Sequence, residues 1–163
     1  MDKRGIGIIG RRLHMKGIAL VMLALIACTP MALGTASAYN EADLQKLKKT
    51  KQCPGCDLSE AYLSGSDLSG ARLSCANLSG ADLSHADLSE ADLSGAKLLL
   101  ADLTGTNLTR ANLTGANLFT ADLYGANLFR ATVDRADFTG ADVTRATWID
   151  GSRWTGGSVD RIK

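Results

Sequence analysis

Ala81 to Glu90 reads A-D-L-S-H-A-D-L-S-E, one five-residue unit twice over, and nineteen such units run from Cys56 to Asp150 without an insertion or deletion. Each unit sets a small residue and a Leu two positions apart, with one polar residue between them. In an extended segment these two side chains point to the same side. The Ser, Thr or Gly that follows forms turns, so each unit reads as a very short strand ending in a corner. The large apolar phase falls on Leu58, Leu63, Leu68 and every fifth residue to Leu128, then on Val133, Phe138, Val143 and Trp148. Two residues before it stands Ala almost throughout, with Cys56, Ser66 and Thr106 as small exceptions. A period of five fits neither a helix nor simple strand alternation, and strict self-similarity of this kind is the mark of a solenoid.

The pattern A-[D/N]-L-x-x over these 95 residues resembles the pentapeptide-repeat family. The resemblance implies an all-β fold, a right-handed quadrilateral β-helix with one unit per side and four units per coil. Leu and Ala would point inward, and residue n would stack on residue n+20. At a coil spacing of ~4.8 Å, nineteen units make nearly five coils and a rod of roughly 23 Å. Only 5% of residues are aromatic, so Leu has to supply the core. Each repeat leans on its neighbours, which calls for caps at both ends.

Residues 1–38 read as an export signal. A basic stretch (Lys3, Arg4, Arg11, Arg12, Lys16) precedes an apolar run from Ile18 to Ala27, and Ala36-Ser37-Ala38 offers a small-x-small cleavage site before Tyr39. Thr29 and Pro30 cut the run to about half the ~20 residues needed to span a bilayer. Leu25-Ile26-Ala27-Cys28 is similar to a bacterial lipobox, which would instead leave a lipid anchor at Cys28. Either way the chain is expected to be periplasmic or secreted. From Tyr39 onward it carries 13 basic and 16 acidic residues, a net charge of −3, and the repeats alone carry 13 acids against 6 bases. A nucleic-acid binder shows the opposite sign, with a Lys/Arg stripe and interleaved aromatics.

Residues 39–55 read as an N-terminal cap. Asn40 can cap a short helix running to Thr50, with Glu41 and Asp43 at its positive end, Lys48 and Lys49 at its negative end, and Leu44 and Leu47 on one face. Cys53-Pro54-Gly55-Cys56 follows. Pro-Gly at the centre favours a type II turn that brings the outer Cα atoms within ~7 Å, overlapping the range a disulfide needs. In an exported chain this favours a structural Cys53–Cys56 bridge. A redox motif of the thioredoxin type would sit at a helix start in a βαβ context, and a zinc site would need four ligands. Cys75 stacks over Gly55 and is an alternative partner for either cysteine.

Stacking by twenty also sorts the outer surface. Asp82, Asp102, Asp122 and Asp142 form an acidic column, either simply solvated or a strip for cations or a basic partner. Glu90, Arg110, Arg130 and Asp150 form another, and His85 faces outward alone. Units up to Ser94 carry Ser after the Leu, whereas later ones carry Leu99, Phe119, Tyr124, Phe129 and Ile149 there, with Leu100 one place on. These apolar residues suggest a contact surface, for a protein partner or for self-association through the C-terminal half. The competing reading packs them under residues 151–163, with Trp154 and Ile162 folded back as a cap.

No orienting His-Asp pair accompanies the abundant Ser residues, and a convex rod offers no cleft for its carboxylates. The expectation is therefore a non-enzymatic structural or interaction scaffold outside the cytoplasm, without cofactor, metal, nucleic acid or membrane span. Two alternatives come from elsewhere. The resemblance implies a DNA-mimicking gyrase-binding protein, whose target lies in the cytoplasm and so conflicts with export. Cys53 and Cys56 allow an envelope redox sensor.

Overall fold

The computed structural model describes residues 38–154. The export segment with Cys28, and the chain beyond Trp154 with Ile162, lie outside the described residues. Among the described residues no helix is long and apolar enough to cross a membrane.

Helix α1 (Glu41–Thr50) opens the described chain. Asn40 stays extended and its side chain accepts from the N–H groups of Ala42 and Asp43 at 2.9 and 3.4 Å, so two of the four orphan donors of the first turn are satisfied. Lys51 ends the helix in the left-handed region, its N–H donating to the Leu47 carbonyl. Leu44 and Leu47 are buried in the same apolar cluster as the repeats. The N–H of Asn40 donates to the Asp57 carbonyl, and the N–H of Asp57 donates to the Asp43 carboxylate, both at 3.0 Å. The helix is thereby fastened to the first coil at both backbone and side chain.

From Gln52 the chain makes parallel bridges at a constant offset of twenty, beginning with Gln52 to Arg72 and ending with Asn127 to Thr147. The bonds run both ways: the N–H of Leu58 donates to Asn77, and the N–H of Asn77 donates back to Cys56, each at 2.8 Å. Four five-residue sides thus close one coil. Each side contributes a single bridged residue rather than a continuous strand, because the chain turns again before a second pair can form. The turn is closed within the unit, as where Ala81 N–H donates to the Leu78 carbonyl at 3.1 Å. From Gly55 to Arg145 the third residue of each such turn has positive φ, the signature of a type II turn.

We number the sides by their inward residue: side 1 holds Leu58, Leu78, Leu98, Leu118 and Phe138; side 2 begins at Leu63, side 3 at Leu68 and side 4 at Leu73. Every Leu of the phase is buried, and so is nearly all of the Ala phase. Thr106, the polar intruder in that phase, is fully buried and donates its hydroxyl to the Leu83 carbonyl at 2.8 Å, so its burial leaves no orphan. At the last coil the side chains grow larger. Phe138, Trp148 and Trp154 stack with ring centroids 5.6 and 5.5 Å apart. The chain reverses at Gly151, Thr147 pairs antiparallel with Arg153, and Trp154 donates its N–H to the Ala146 carbonyl. Trp154 is therefore folded back on the end of the core.

Two substitutions separate core from corner. Leu103→Ala should cost ~2–5 kcal/mol through the cavity it leaves. Gly115→Ala meets no atom within 4 Å, but its φ is +67. It should cost only the left-handed penalty of ~1–2 kcal/mol. Chemical denaturation read by circular dichroism orders the two.

Candidate functional site

The Asp or Asn that stands ahead of most of the Leu residues does structural work that composition does not show. Its Oδ1 accepts the N–H two residues on and so braces the corner: Asp82 from Ser84 at 3.0 Å, Asp102 from Thr104 at 2.9 Å, Asp122 from Tyr124 and Asp142 from Thr144 at 2.8 Å. Asn does the same, as at Asn117 with Phe119. The pairing of an Asx residue with the amide two residues on is the signal that sequence reasoning missed.

These residues stack directly on one another, and the sides then differ. On sides 1, 3 and 4 an amide follows an acid: Asn77 donates Nδ2 to Asp57, Asn107 to Asp87 and Asn112 to Asp92, at 3.0 to 3.2 Å. Side 2 has no such donor. Above Tyr62, which is 78% exposed, Asp82, Asp102, Asp122 and Asp142 are bridged to one another in succession. Each of those carboxylates gives one oxygen to its own turn and leaves the other for whatever lies outside.

Hydrogen bonds hold several carboxyls below their ordinary value of 3.8. The Ser59 hydroxyl and then its N–H do so for Asp57, Ser89 likewise for Asp87, Thr139 for Asp137, Thr144 for Asp142 and Ser152 for Asp150. For Asp67 the first cause is the Lys51 ammonium at 2.8 Å. The column of Glu90, Arg110, Arg130 and Asp150 divides: Arg110 pairs with Glu90 at 3.1 Å on an open surface, where such pairs are worth ~0–1 kcal/mol, while Arg130 lies 5.0 Å over the Phe129 ring. His85 is exposed one coil below Gly105.

The five apolar residues expected to share one contact surface are spread over three corners. Leu99 and Phe119, twenty apart, lie between sides 1 and 2, Tyr124 between sides 2 and 3, and Phe129 and Ile149, again twenty apart, between sides 3 and 4. Arg145 covers the Tyr124 ring at 5.5 Å. Phe129 lies against the turn at Gly151 and Ile149 packs on the core, so these two belong to the C-terminal closure. The most open of the three is the first corner, where Leu100 is 65% exposed and Phe119 42%; Tyr124 keeps 38% beside Arg145.

At the other end, the Cys53 and Cys56 sulfurs lie at bonding distance with Cα atoms 5.3 Å apart, and the N–H of Cys56 donates to the Cys53 carbonyl across the Pro-Gly turn. Both are buried, and Cys75 is free and exposed. The Asp43 carboxylate lies close to the two sulfurs, but sulfurs joined in a disulfide offer no thiolate, so the trio is not a set of metal ligands. Lys46 sets its ammonium 3.9 Å from the Cys56 sulfur, which disfavours a cation there.

A coil of four five-residue sides with n over n+20 matches the family model for pentapeptide repeats, which is met in eight copies over residues 53–89, 86–123 and 110–145. The chain belongs to the pentapeptide-repeat family. A solved pentapeptide repeat protein from the thylakoid lumen of Arabidopsis thaliana is 29% identical over 64% of this chain and 70% of its own, with a TM-score of 0.56. Another, from the cyanobacterium Cyanothece, is 29% identical over 66% of this chain and 97% of its own, with a TM-score of 0.40. HetL from Nostoc, a pentapeptide repeat protein involved in heterocyst differentiation regulation, is 32% identical over 63% of this chain and 53% of its own, with a TM-score of 0.33. No curated protein matches. Pentapeptide-repeat neighbours imply a right-handed β-helix, which supplies the hand of the coil.

The braced corners of this pentapeptide-repeat coil make its stability depend on acid in one direction. A carboxyl held below 3.8 in the folded chain contributes fully above the unfolded value and loses that contribution as pH falls through the lower, folded one. The melting temperature should therefore hold steady above pH ~5 and fall below pH ~4. The triple variant Asp57→Asn, Asp87→Asn, Asp137→Asn, which keeps the turn acceptors and removes three titrating groups, should flatten that fall in a thermal-melt series.

Proposed function

We propose that this protein is a non-enzymatic interaction scaffold acting outside the cytoplasm, in the periplasm or secreted. The observation that carries the reading is the open corner of Leu100 and Phe119, with Leu99 half-buried beside them: a rigid, hydrogen-bonded coil holds exposed apolar side chains that its own core does not use. The polar groups nearby are taken up in bracing turns, which suits a surface that binds rather than one that performs chemistry. The export signature of residues 1–38 supports the location, and so does the resemblance to a protein from a thylakoid lumen. We read Cys53–Cys56 as a structural bridge holding the start of the coil to helix α1, since a sensor needs an accessible sulfur and both of these are buried.

A photo-crosslinking amino acid placed at Phe119, with Ser64 as the comparison site, tests the reading in intact cells. A protein adduct at 119 and not at 64, on a chain whose intact mass begins at Tyr39 or at a lipidated Cys28, is the expected result. Unprocessed chain in the cytoplasm, or equal labelling at both sites, contradicts it.

A further inference from the structure

We infer that the corner between sides 1 and 2 docks a basic amphipathic helix of a partner protein; the inference rests on the scaffold reading and names the partner's chemistry. Leu100 has φ 58, a left-handed conformation that penalises any residue with a Cβ, and the equivalent places one coil below and two above are Gly80 and Gly140. Glu60 and Thr120 take the same conformation in this column, so the corner admits a side chain, and Leu100 is the one that makes it apolar and exposed. Its N–H donates to the Phe119 carbonyl at 3.2 Å, and Leu99 lies beneath Phe119 in the same register, so the three side chains share one corner.

One flank of that corner is the side-2 acid column. Asp102 follows Leu100 by two residues and Asp122 follows Thr120 by two, with Asp82 and Asp142 continuing the row. On the other sides an amide stands over Asp57, Asp87 and Asp92; on side 2 none does, and among the described residues no Lys or Arg forms an ion pair with these carboxylates. The rows are ~4.8 Å apart, close to the ~5.4 Å pitch of an α-helix. A helix lying along the coil axis could therefore set a Lys or Arg against successive carboxylates while its apolar stripe covers Leu100 and Phe119. An added strand fits less well, because the backbone along the sides is already bonded from coil to coil. A second copy is also a poor occupant: the one helix among the described residues, α1, has its Leu44 and Leu47 buried in its own core.

The probe is a fluorescent synthetic peptide of about four turns, Leu at helical spacing with Lys beside it, against a scramble of the same composition, read by anisotropy on the processed full chain. Saturable binding of the helical peptide alone is expected. Leu100→Gly should weaken it by about tenfold or more while leaving the melting temperature unchanged or raised, since Gly suits that φ. Asp102→Asn with Asp122→Asn keeps the turn acceptors, as Asn117 does, and should flatten the salt dependence of binding. Equal binding of the scramble, or undiminished binding to Leu100→Gly, overturns the inference. So does light scattering that shows a dimer dissolved by Leu100→Gly, which would make a second copy the occupant. If no peptide binds while the crosslinker at 119 still captures a protein, the helix is wrong and the scaffold stands.

Discussion

Because the N–H of each inward Leu from Leu58 to Leu128 donates to the carbonyl nineteen residues on, the coil closes only if every side uses five residues, two of them small or apolar and facing in. That constraint accounts for the absence of any insertion over 95 residues. It also explains the small-residue phase: Ala stands where chain passes close to chain, and the one Thr admitted there hides its hydroxyl in a hydrogen bond. Energy in such an array is shared between neighbours, so the ends need separate solutions. Helix α1 and the Cys53–Cys56 turn supply one, and the aromatic group of Phe138, Trp148 and Trp154 supplies the other.

The same constraint frees the outer positions. An outward side chain is fixed in place by the register but contributes little to the core, so its identity can follow other demands. The acidic row of side 2 and the apolar corner beside it are departures that the fold does not require. Asn braces a corner as well as Asp does, and Ser or Gly fills the corner positions of earlier units. Residues that the fold could replace without loss are the natural place to look for function.

Much of this was legible in the sequence. The Leu and Ala phases, the helix of Leu44 and Leu47, and the proximity of Cys53 to Cys56 follow from period, capping and turn chemistry, all of which are local. The bracing bonds of Asp82 and its equivalents were hidden behind the apparent repulsion of stacked acids. Less legible was the fate of the outer aromatics. The register of twenty already pairs Leu99 with Phe119 and Phe129 with Ile149, but it does not say which of these side chains the C-terminal closure covers. Arg145 over Tyr124 and Arg130 over Phe129 are contacts made after the chain has coiled, and no local pattern announces them.

Since everything rests on register, the most direct measurement compares two insertions by thermal unfolding. A duplicate of residues 91–110 adds one whole coil and keeps every inward side chain inward. One residue placed between Asp102 and Leu103 shifts the phase within a side. The account predicts one cooperative transition at an equal or higher melting temperature for the first, and a marked drop or a split transition for the second. A single-residue insertion tolerated as well as a whole coil would contradict it.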